Sequence, residues 1–442
     1  MSPLSSFPSA SLKIEYRSPE DLSPYARNAR THSSKQIKQI ARSIEQFGFT
    51  NPVLVTGTGE IIAGHGRVAA AKSLGLDRVP VLELSHLSEA QRRAYILADN
   101  KLAELAGWDR DLLAIELQGL IDLDFDLELT GFSLAEIDLT LEDAGGDTPP
   151  SEIHPARSLG PAVTQPGDLW ILGPHRLLCG DARKSEDLAR VMAEDRADLI
   201  FTDPPYNVAI DGHVSGLGKQ VHREFACASG EMSSAEFTEF LSTTLGHAAA
   251  AARDGAIAFV CMDWRHMAEL MEAGRGVFAE LKNLCIWNKT NAGMGTFYRS
   301  KHELVFVYKI GTAAHVNSFG LGETGRYRTN VWDYAGANVL GERRDAELEM
   351  HPTVKPVEMI RDAIQDCSRR GESILDPFGG SGSTLMAAES CGRRARLLEY
   401  DPLYCDTILR RAESTAGLAA VNAATGERFA DLVDTAQLEA VL

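Results

Sequence analysis

The 442-residue chain has no excess of basic charge: 44 Lys and Arg stand against 62 Asp and Glu, a net charge of −18. A protein that coats nucleic acid through overall basicity is excluded, so any nucleic-acid contact must be local. Nor is there a run of 18 apolar residues, or a basic stretch followed by an apolar core in the first twenty residues, so neither a membrane helix nor a secretory leader is expected. The seven cysteines are odd in number, scattered, and free of any C-x-x-C pair, which argues against a disulfide framework and structural zinc. We expect a soluble protein of the reducing cytoplasm. A Walker loop is missing too, because Gly218-Lys219-Gln220 lacks both the spacing and the hydroxyl residue. What is present is ordinary globular material, 44% hydrophobic and 24% charged. At this length it suits two or three domains.

From Lys35 the apolar residues recur at helical spacing and stop at Gly48, the pattern of a helix closed by glycine. Strand, glycine turn and short strand follow, then the loop Gly64-His65-Gly66-Arg67, a helix over Val68 to Leu74 and a strand over Val79 to Leu84. This small α+β unit resembles the ParB-like N-terminal domain, and we assign 10–100 to it. The family's box is Gly-Glu-Arg-Arg; here His65 stands in place of Glu and Gly66 in place of the first Arg. That departure argues against nucleotide triphosphate hydrolysis. A glycine turn ahead of a helix with one Arg can bind phosphate, and a turn that merely starts the helix is the equal alternative.

Residues 101–150 carry 13 acidic side chains against Lys101 and Arg110. Leucine spacing and the capping-box pattern Ser133-x-x-Glu136 predict short amphipathic helices with a solvated acidic face. Five prolines between Gly145 and Pro166 mark a linker. The stretch 101–166 is therefore expected to be an acidic helical connector and linker, and no metal site is expected.

Beyond Gly167, apolar runs at 198–202, 256–262, 304–308, 373–375 and 395–399 read as strands separated by helical stretches. That alternation predicts an α/β fold with a doubly wound, largely parallel sheet whose ligands sit at strand C-termini. Two motifs stand at such ends. Asp203-Pro204-Pro205-Tyr206 holds a carboxylate, a carbonyl and an aromatic ring in one rigid geometry, which suits a flat ring bearing an amino group. A polar turn that ends a strand is the plain alternative. The second, Asp376-Pro377-Phe378-Gly379-Gly380-Ser381-Gly382, has Glu399 nineteen residues after Gly380, near the spacing at which an acid meets ribose hydroxyls. A dinucleotide site fits less well, since Leu385 replaces the third glycine and Asp376 would repel a pyrophosphate. An adenosine cofactor without phosphate and with a cationic centre, such as S-adenosylmethionine, fits better.

With these motifs in this order, 167–415 resembles the DNA amino-methyltransferases in their permuted, beta-class arrangement. The resemblance implies a Rossmann-like methyltransferase domain and S-adenosylmethionine as cofactor. It assigns Asp203, Pro204, Pro205 and Tyr206 as catalytic, and Asp376, Pro377, Phe378, Gly379, Gly380, Ser381, Gly382 and Glu399 as cofactor-binding. It adds Thr353 and Lys355, from the segment His351 to Pro356, and Asp181 near the cofactor adenine. It further implies double-stranded DNA as partner, base flipping with direct in-line transfer, and the chance of a homodimer; a restriction partner is the companion of many such enzymes. Methylation of cytosine carbon would need a nucleophilic cysteine, usually after proline, and no Pro-Cys dipeptide occurs. Asp at 203 resembles the adenine-modifying members; cytosine amino-methylation is the alternative. A second alternative is a ParB-like DNA- or nucleotide-binding module with an inactive methyltransferase half.

Between Trp287 and Asn330 six basic residues face two acidic ones, with Phe297, Tyr298 and Tyr327 interleaved. Local basicity beside aromatics suits phosphate contacts and base readout. The resemblance places the target-recognition region at 310–350. Arg299, Lys301, Arg326, Tyr327 and Arg328 are the candidate DNA contacts.

Overall fold

The computed structural model describes residues 12–123, 125–144, 161–208, 230–290, 297–319, 327–336 and 354–434. The chain forms two compact units, Met1–Gly146 and Asp147–Leu442.

The first unit opens with β1 (Ile14–Arg17), α1 (Ser34–Phe47), β2 (Val53–Val55), β3 (Ile61–Ala63), α2 (His65–Ser73) and β4 (Val79–Glu83). Its sheet runs in the order β1-β4-β2-β3, with a parallel pair β2/β4 flanked by antiparallel pairs. Val53, Val55, Ile61, Val68, Val79 and Val81 meet in its core. The Ser33 side chain caps α1 by accepting from the Gln36 amide, and Gly48 at φ 78° ends it. The segment Gly64 to Arg67, expected as a loop, is instead the cap and first turn of α2. Gly64 sits at φ 103°, where a Cβ would fall 2.8 Å from the Arg67 guanidinium, so only glycine starts the helix there. Then come α3 (Glu89–Glu104), α4 (Arg110–Asp122) and α5 (Leu134–Ala144). The capping box is formed: the Ser133 amide donates to Glu136 at 2.7 Å and the Glu136 amide to Ser133 Oγ at 3.3 Å. Glu104, Asp109, Asp111, Glu116, Asp122, Asp126 and Glu136 are exposed, whereas Asp138 is buried.

The second unit contains β5 (Leu169–Leu172), β6 (His175–Cys179), α6 (Ser185–Met192), β7 (Ala197–Thr202), α7 (Ser234–Ala251), β8 (Ala252–Met262), α8 (Met267–Val277), β9 (Glu280–Asn288) and β10 (His302–Lys309). It continues with β11 (Val331–Asp333), α9 (Val357–Cys367), β12 (Ser373–Asp376), α10 (Ser383–Ser390), β13 (Arg394–Glu399), α11 (Pro402–Ala416) and β14 (Ala420–Asn422). Its ten-stranded sheet has the order β11-β9-β10-β8-β7-β12-β13-β6-β5-β14. The centre, β8-β7-β12-β13-β6, is parallel as expected. Both flanks turn antiparallel, β8/β10/β9 on one side and β6/β5/β14 on the other.

Alternation along the central strands fills two cores. Leu199, Phe201, Ile257 and Phe259 belong to one hydrophobic cluster, and Ile200, Ala258 and Val260 to the other. Helices therefore cover both faces, which is why these strands read as unbroken apolar runs. The described cysteines are all buried thiols. Among the described residues, no helix is long and apolar enough to cross a membrane and no group of His, Cys, Asp and Glu is arranged to hold a metal ion.

Candidate active site

Four neighbouring parallel strands deliver one acid each to the same edge of the sheet. β7 ends at Thr202, just before Asp203; β12 ends on Asp376; β13 ends on Glu399; and β6 ends at Cys179, two residues before Asp181. One cavity at this edge is lined by Asp181, Asp203 to Tyr206, Lys355, Asp376 to Ser381 and Glu399. Of the expected catalytic and cofactor residues, Gly382 lies just outside that lining, as the αL cap of α10 at φ 80°. Thr353 falls outside the described residues.

On the cofactor side, burial pushes Glu399 up to about 7 even though it accepts from the Gly380 amide at 2.8 Å and the Asp401 amide at 2.9 Å. Asp376 is likewise held up to about 7 by burial, although Thr384 Oγ1 at 2.6 Å, Thr202 Oγ1 at 3.1 Å and the Phe378 amide at 3.1 Å all donate to it. Gly379 is closely packed: a Cβ there would fall 3.1 Å from the Leu398 carbonyl oxygen and 3.2 Å from Ile408. Arg411 props the loop from below, donating to the Ser381 carbonyl at 2.9 Å. Asp181 is clasped by Arg183, which donates to both carboxylate oxygens at 2.9 and 2.7 Å; burial raises the acid, but Arg183 outweighs it and holds the carboxyl below its ordinary value. Tyr400, Asp401, Tyr404 and Phe240 also line the cavity. The first two directly follow Glu399, so their position after a strand end was the signal that would have found them.

Around Asp203 and Tyr206 lies a buried polar knot. Tyr206 donates its hydroxyl to Asp203 Oδ1 at 2.5 Å, with Glu303 Oε2 3.2 Å away. Lys355 Nζ donates to Asp203 Oδ2 at 2.5 Å and pairs with Glu303 Oε2 at 3.1 Å, and Lys289 pairs with the other oxygen of Glu303. Lys355 thus stands beside the segment Asp203 to Tyr206, 5% exposed, with its ammonium 5.4 Å from the centre of the Tyr206 ring. Burial is the largest influence on Asp203 and pushes its carboxyl up; Lys355 pulls against it and Glu303 adds to it. Burial also works to raise Glu303, but Lys355 and Lys289 outweigh it and hold that carboxyl down to about 2. Two carboxylates hold Lys355 as a cation against the cost of its burial. Glu303 and Lys289 were missed in the sequence, where they read as part of a basic, DNA-facing stretch.

The donor set fits an adenosine group with a cationic centre. The ionisable residues lining the cavity are the acids Asp181, Asp203, Asp376, Glu399 and Asp401 against Lys355 alone, a set that disfavours phosphate and suits a sulfonium.

The expected DNA contacts do not share one setting. Arg299 and Lys301 are exposed on the segment entering β10, and Tyr327 is 83% exposed. Arg326 lies outside the described residues. Arg328 corrects the expectation: its side chain is 16% exposed and turned inward, donating to Asp366 at 2.8 Å, Asp362 at 3.3 Å and the Tyr334 hydroxyl at 3.0 Å, over the Trp332 ring. Two carboxylates already engage that guanidinium. Of the expected recognition region, 310–319 and 327–336 are described, and Val316 and Trp332 within them are buried.

Comparison with known proteins places these parts. A DNA methylase family model, that of the N6 and N4 enzymes, matches 197–410. A ParB N-terminal domain model matches 9–104, and a ParB-methyltransferase HTH domain model matches 111–166, the stretch expected from composition as connector and linker. The ParB-like nuclease domain-containing protein YnaK of Escherichia coli K12 is 59% identical over 85 residues, 19% of this chain and 98% of YnaK. The DNA adenine methyltransferase YhdJ of the same organism is 24% identical over 264 residues, 54% of this chain and 82% of YhdJ. The crystal structure of an M1.HpyAVI–SAM complex aligns with a TM-score of 0.40 at 18% identity, covering 53% of this chain and 97% of that one. S-adenosylmethionine is the cofactor of the methylase family, and no group of the cavity conflicts with it. The chain carries an N6/N4 DNA methylase domain, preceded in its sequence by a ParB N-terminal domain.

Proposed function

We propose that the chain methylates the exocyclic amino group of adenine at specific sites in double-stranded DNA, acting on a flipped base by direct in-line transfer. The observation that carries this is the meeting of Asp203 to Tyr206 with Asp376 to Ser381 and Glu399 on one cavity. S-adenosylmethionine supplies an electrophilic methyl group on a sulfonium. Glu399 accepts from ribose hydroxyls, and the acidic rim at Asp376 and Asp181 favours a cationic ligand. Asp203 and the Pro204 carbonyl accept the two amino hydrogens, which draws the nitrogen lone pair out of the ring and toward the methyl carbon. The Tyr206 ring, its hydroxyl tied to Asp203, gives the flipped base a face to stack on. The cofactor would give up its methyl and keep the bonding electron pair on sulfur, while Asp203 takes the proton lost from the amino nitrogen.

Adenine rather than cytosine is supported by aspartate at position 203 and by the matched relative YhdJ, which is named as an adenine enzyme. Exposed Arg299, Lys301 and Tyr327 are the DNA contacts in this reading, and 310–350 the recognition region.

The test is transfer of labelled methyl to unmethylated duplex DNA by this chain and by Asp203→Ala, with the product digested to nucleosides. Label in N6-methyldeoxyadenosine, lost in the folded variant, is expected. Label in N4-methyldeoxycytidine would replace the adenine reading, and no transfer despite cofactor binding would favour a binding module.

A further inference from the structure

The charges at the catalytic side alternate in a short row, Asp203, Lys355, Glu303, Lys289. Three of them are nearly closed off from water: the side chains of Lys355, Glu303 and Asp203 are 5%, 12% and 19% exposed. Charges so placed act on one another with little screening. Glu303 does not line the cavity; it stands behind Lys355, on β10 opposite Trp287 of β9. Lys289, just past the end of β9, is tied to the same hairpin by its amide, which donates to the Lys301 carbonyl at 2.9 Å. The Trp287 ring lies beside both ammonium groups, 4.4 Å from that of Lys289 and 5.9 Å from that of Lys355.

Lys355 is needed and harmful at once. Its charge opposes the burial that would protonate Asp203, yet the same charge lies 2.5 Å from the carboxylate that must face a nitrogen turning positive. An isolated buried cation there would disfavour the transfer. We propose that Glu303 is a positioning residue for methyl transfer, which fixes Lys355 and offsets its charge so that Asp203 meets the target nitrogen without an uncompensated buried cation beside it. Lys289 in turn balances Glu303, leaving the row neutral before the base arrives. This rests on the methyltransferase reading given above.

The test compares the full-length protein with Glu303→Gln, Lys289→Met and the double variant, measuring kcat, KM and the Tm of the ligand-free protein. Glu303→Gln leaves one uncancelled cation: kcat falls about 100-fold, as when a preorganised electrostatic contact is removed, while KM for S-adenosylmethionine stays within about 3-fold and Tm drops. Removing Lys289 as well restores neutrality, so the double variant regains at least about 10-fold in kcat over Glu303→Gln and recovers part of the Tm. A merely structural Glu303 predicts the opposite, a second lesion adding to the first.

The acid limb of the kcat–pH profile gives a further readout. Asp203 is faced by Lys355, Tyr206, Glu303, Cys261 and Asp376, and of these the first variant alters only Glu303. The limb moves to lower pH in Glu303→Gln and to higher pH in Lys289→Met, which decides the matter even if Glu303→Gln fails to fold. A double variant no better than Glu303→Gln, or limbs that fail to move with these signs, overturns the proposal. No transfer by the unsubstituted protein would overturn the functional reading itself, whereas the unaltered protein methylating DNA with no rescue in the double variant would sink only the role of Glu303.

Discussion

Glu399 shows how a single side chain would link the proposed cofactor loop to pH. Its two oxygens already hold the Gly380 and Asp401 amides, and burial still raises its carboxyl to about 7. Each oxygen keeps a second lone pair for a ribose hydroxyl, and the anion accepts more strongly than the acid. Affinity for S-adenosylmethionine should therefore fall as pH drops from 8 to 6, through the pKa. In Glu399→Gln, affinity should be about 10- to 100-fold weaker and its pH dependence shallower, with the remaining slope owed to Asp376; calorimetric titration at the two pH values checks both. Equal affinity in the variant would remove Glu399 from the cofactor site. Asp203 belongs to the same scale but is governed differently, because its charge depends on partners from β10 and from the segment before α9 rather than on backbone amides.

At the scale of elements, the sheet edge and the helices around it make different use of charge. α9 presents Asp362 and Asp366 to Arg328, which lies three residues before β11 and also receives the Trp332 ring beneath it. The guanidinium ties β11 and α9 together in a partly dry setting, where removing one partner of an ion pair leaves the opposite charge less compensated. Arg328→Met should cost about 3 kcal/mol and lower Tm by roughly 5–10 °C. Arg299→Ala and Lys301→Ala, both exposed, should leave Tm alone and each reduce the salt slope of DNA binding by about one. Thermal melts beside salt titrations separate the two behaviours; an Arg328 variant with unchanged Tm and a reduced salt slope would reverse the assignment.

For the whole molecule, the cofactor cavity is maintained against stability. Asp376 and Glu399 both titrate near 7 when folded, well above their ordinary values of 3.8 and 4.5. Between those limits the folded state binds more protons than the unfolded one, so stability falls as pH rises. A tenfold difference in proton affinity between the folded and unfolded chain is worth about 1.4 kcal/mol. The ligand-free protein should accordingly lose stability from these two groups as pH rises from about 4.5 to 7. A cationic ligand favours both anions and offsets the loss, so the Tm increase produced by S-adenosylmethionine should be larger at pH 8 than at pH 6. Scanning fluorimetry at the two pH values tests this, and a ligand effect on Tm that does not change with pH would contradict it.

The fold class was legible because its signals are local. Apolar runs ending in Asp203, Asp376 and Glu399 encode strand and strand end in a few residues, and the alternation with helices implies parallel strands. Parallel neighbours then put those acids on one edge, which is why the positions at strand ends converge. The formed capping box at Ser133 and Glu136 was legible for the same reason. The antiparallel flank β8/β10/β9 was not, since strand direction there depends on partners the periodicity does not name. Arg328 read as a DNA contact because its neighbours are basic and aromatic, and only tertiary packing brought Asp362 and Asp366, more than thirty residues away, against it. Lys355 reached Asp203 across 152 residues, and Glu303 reached Lys355 and Tyr206 from an antiparallel hairpin. Local pattern determined which residues end strands and which chemistry they carry; which distant charges share one poorly hydrated pocket, and so cancel or reinforce one another, was decided by the packing of the sheet, because burial and proximity in space set the strength of a charge and neither is written in its neighbours along the chain.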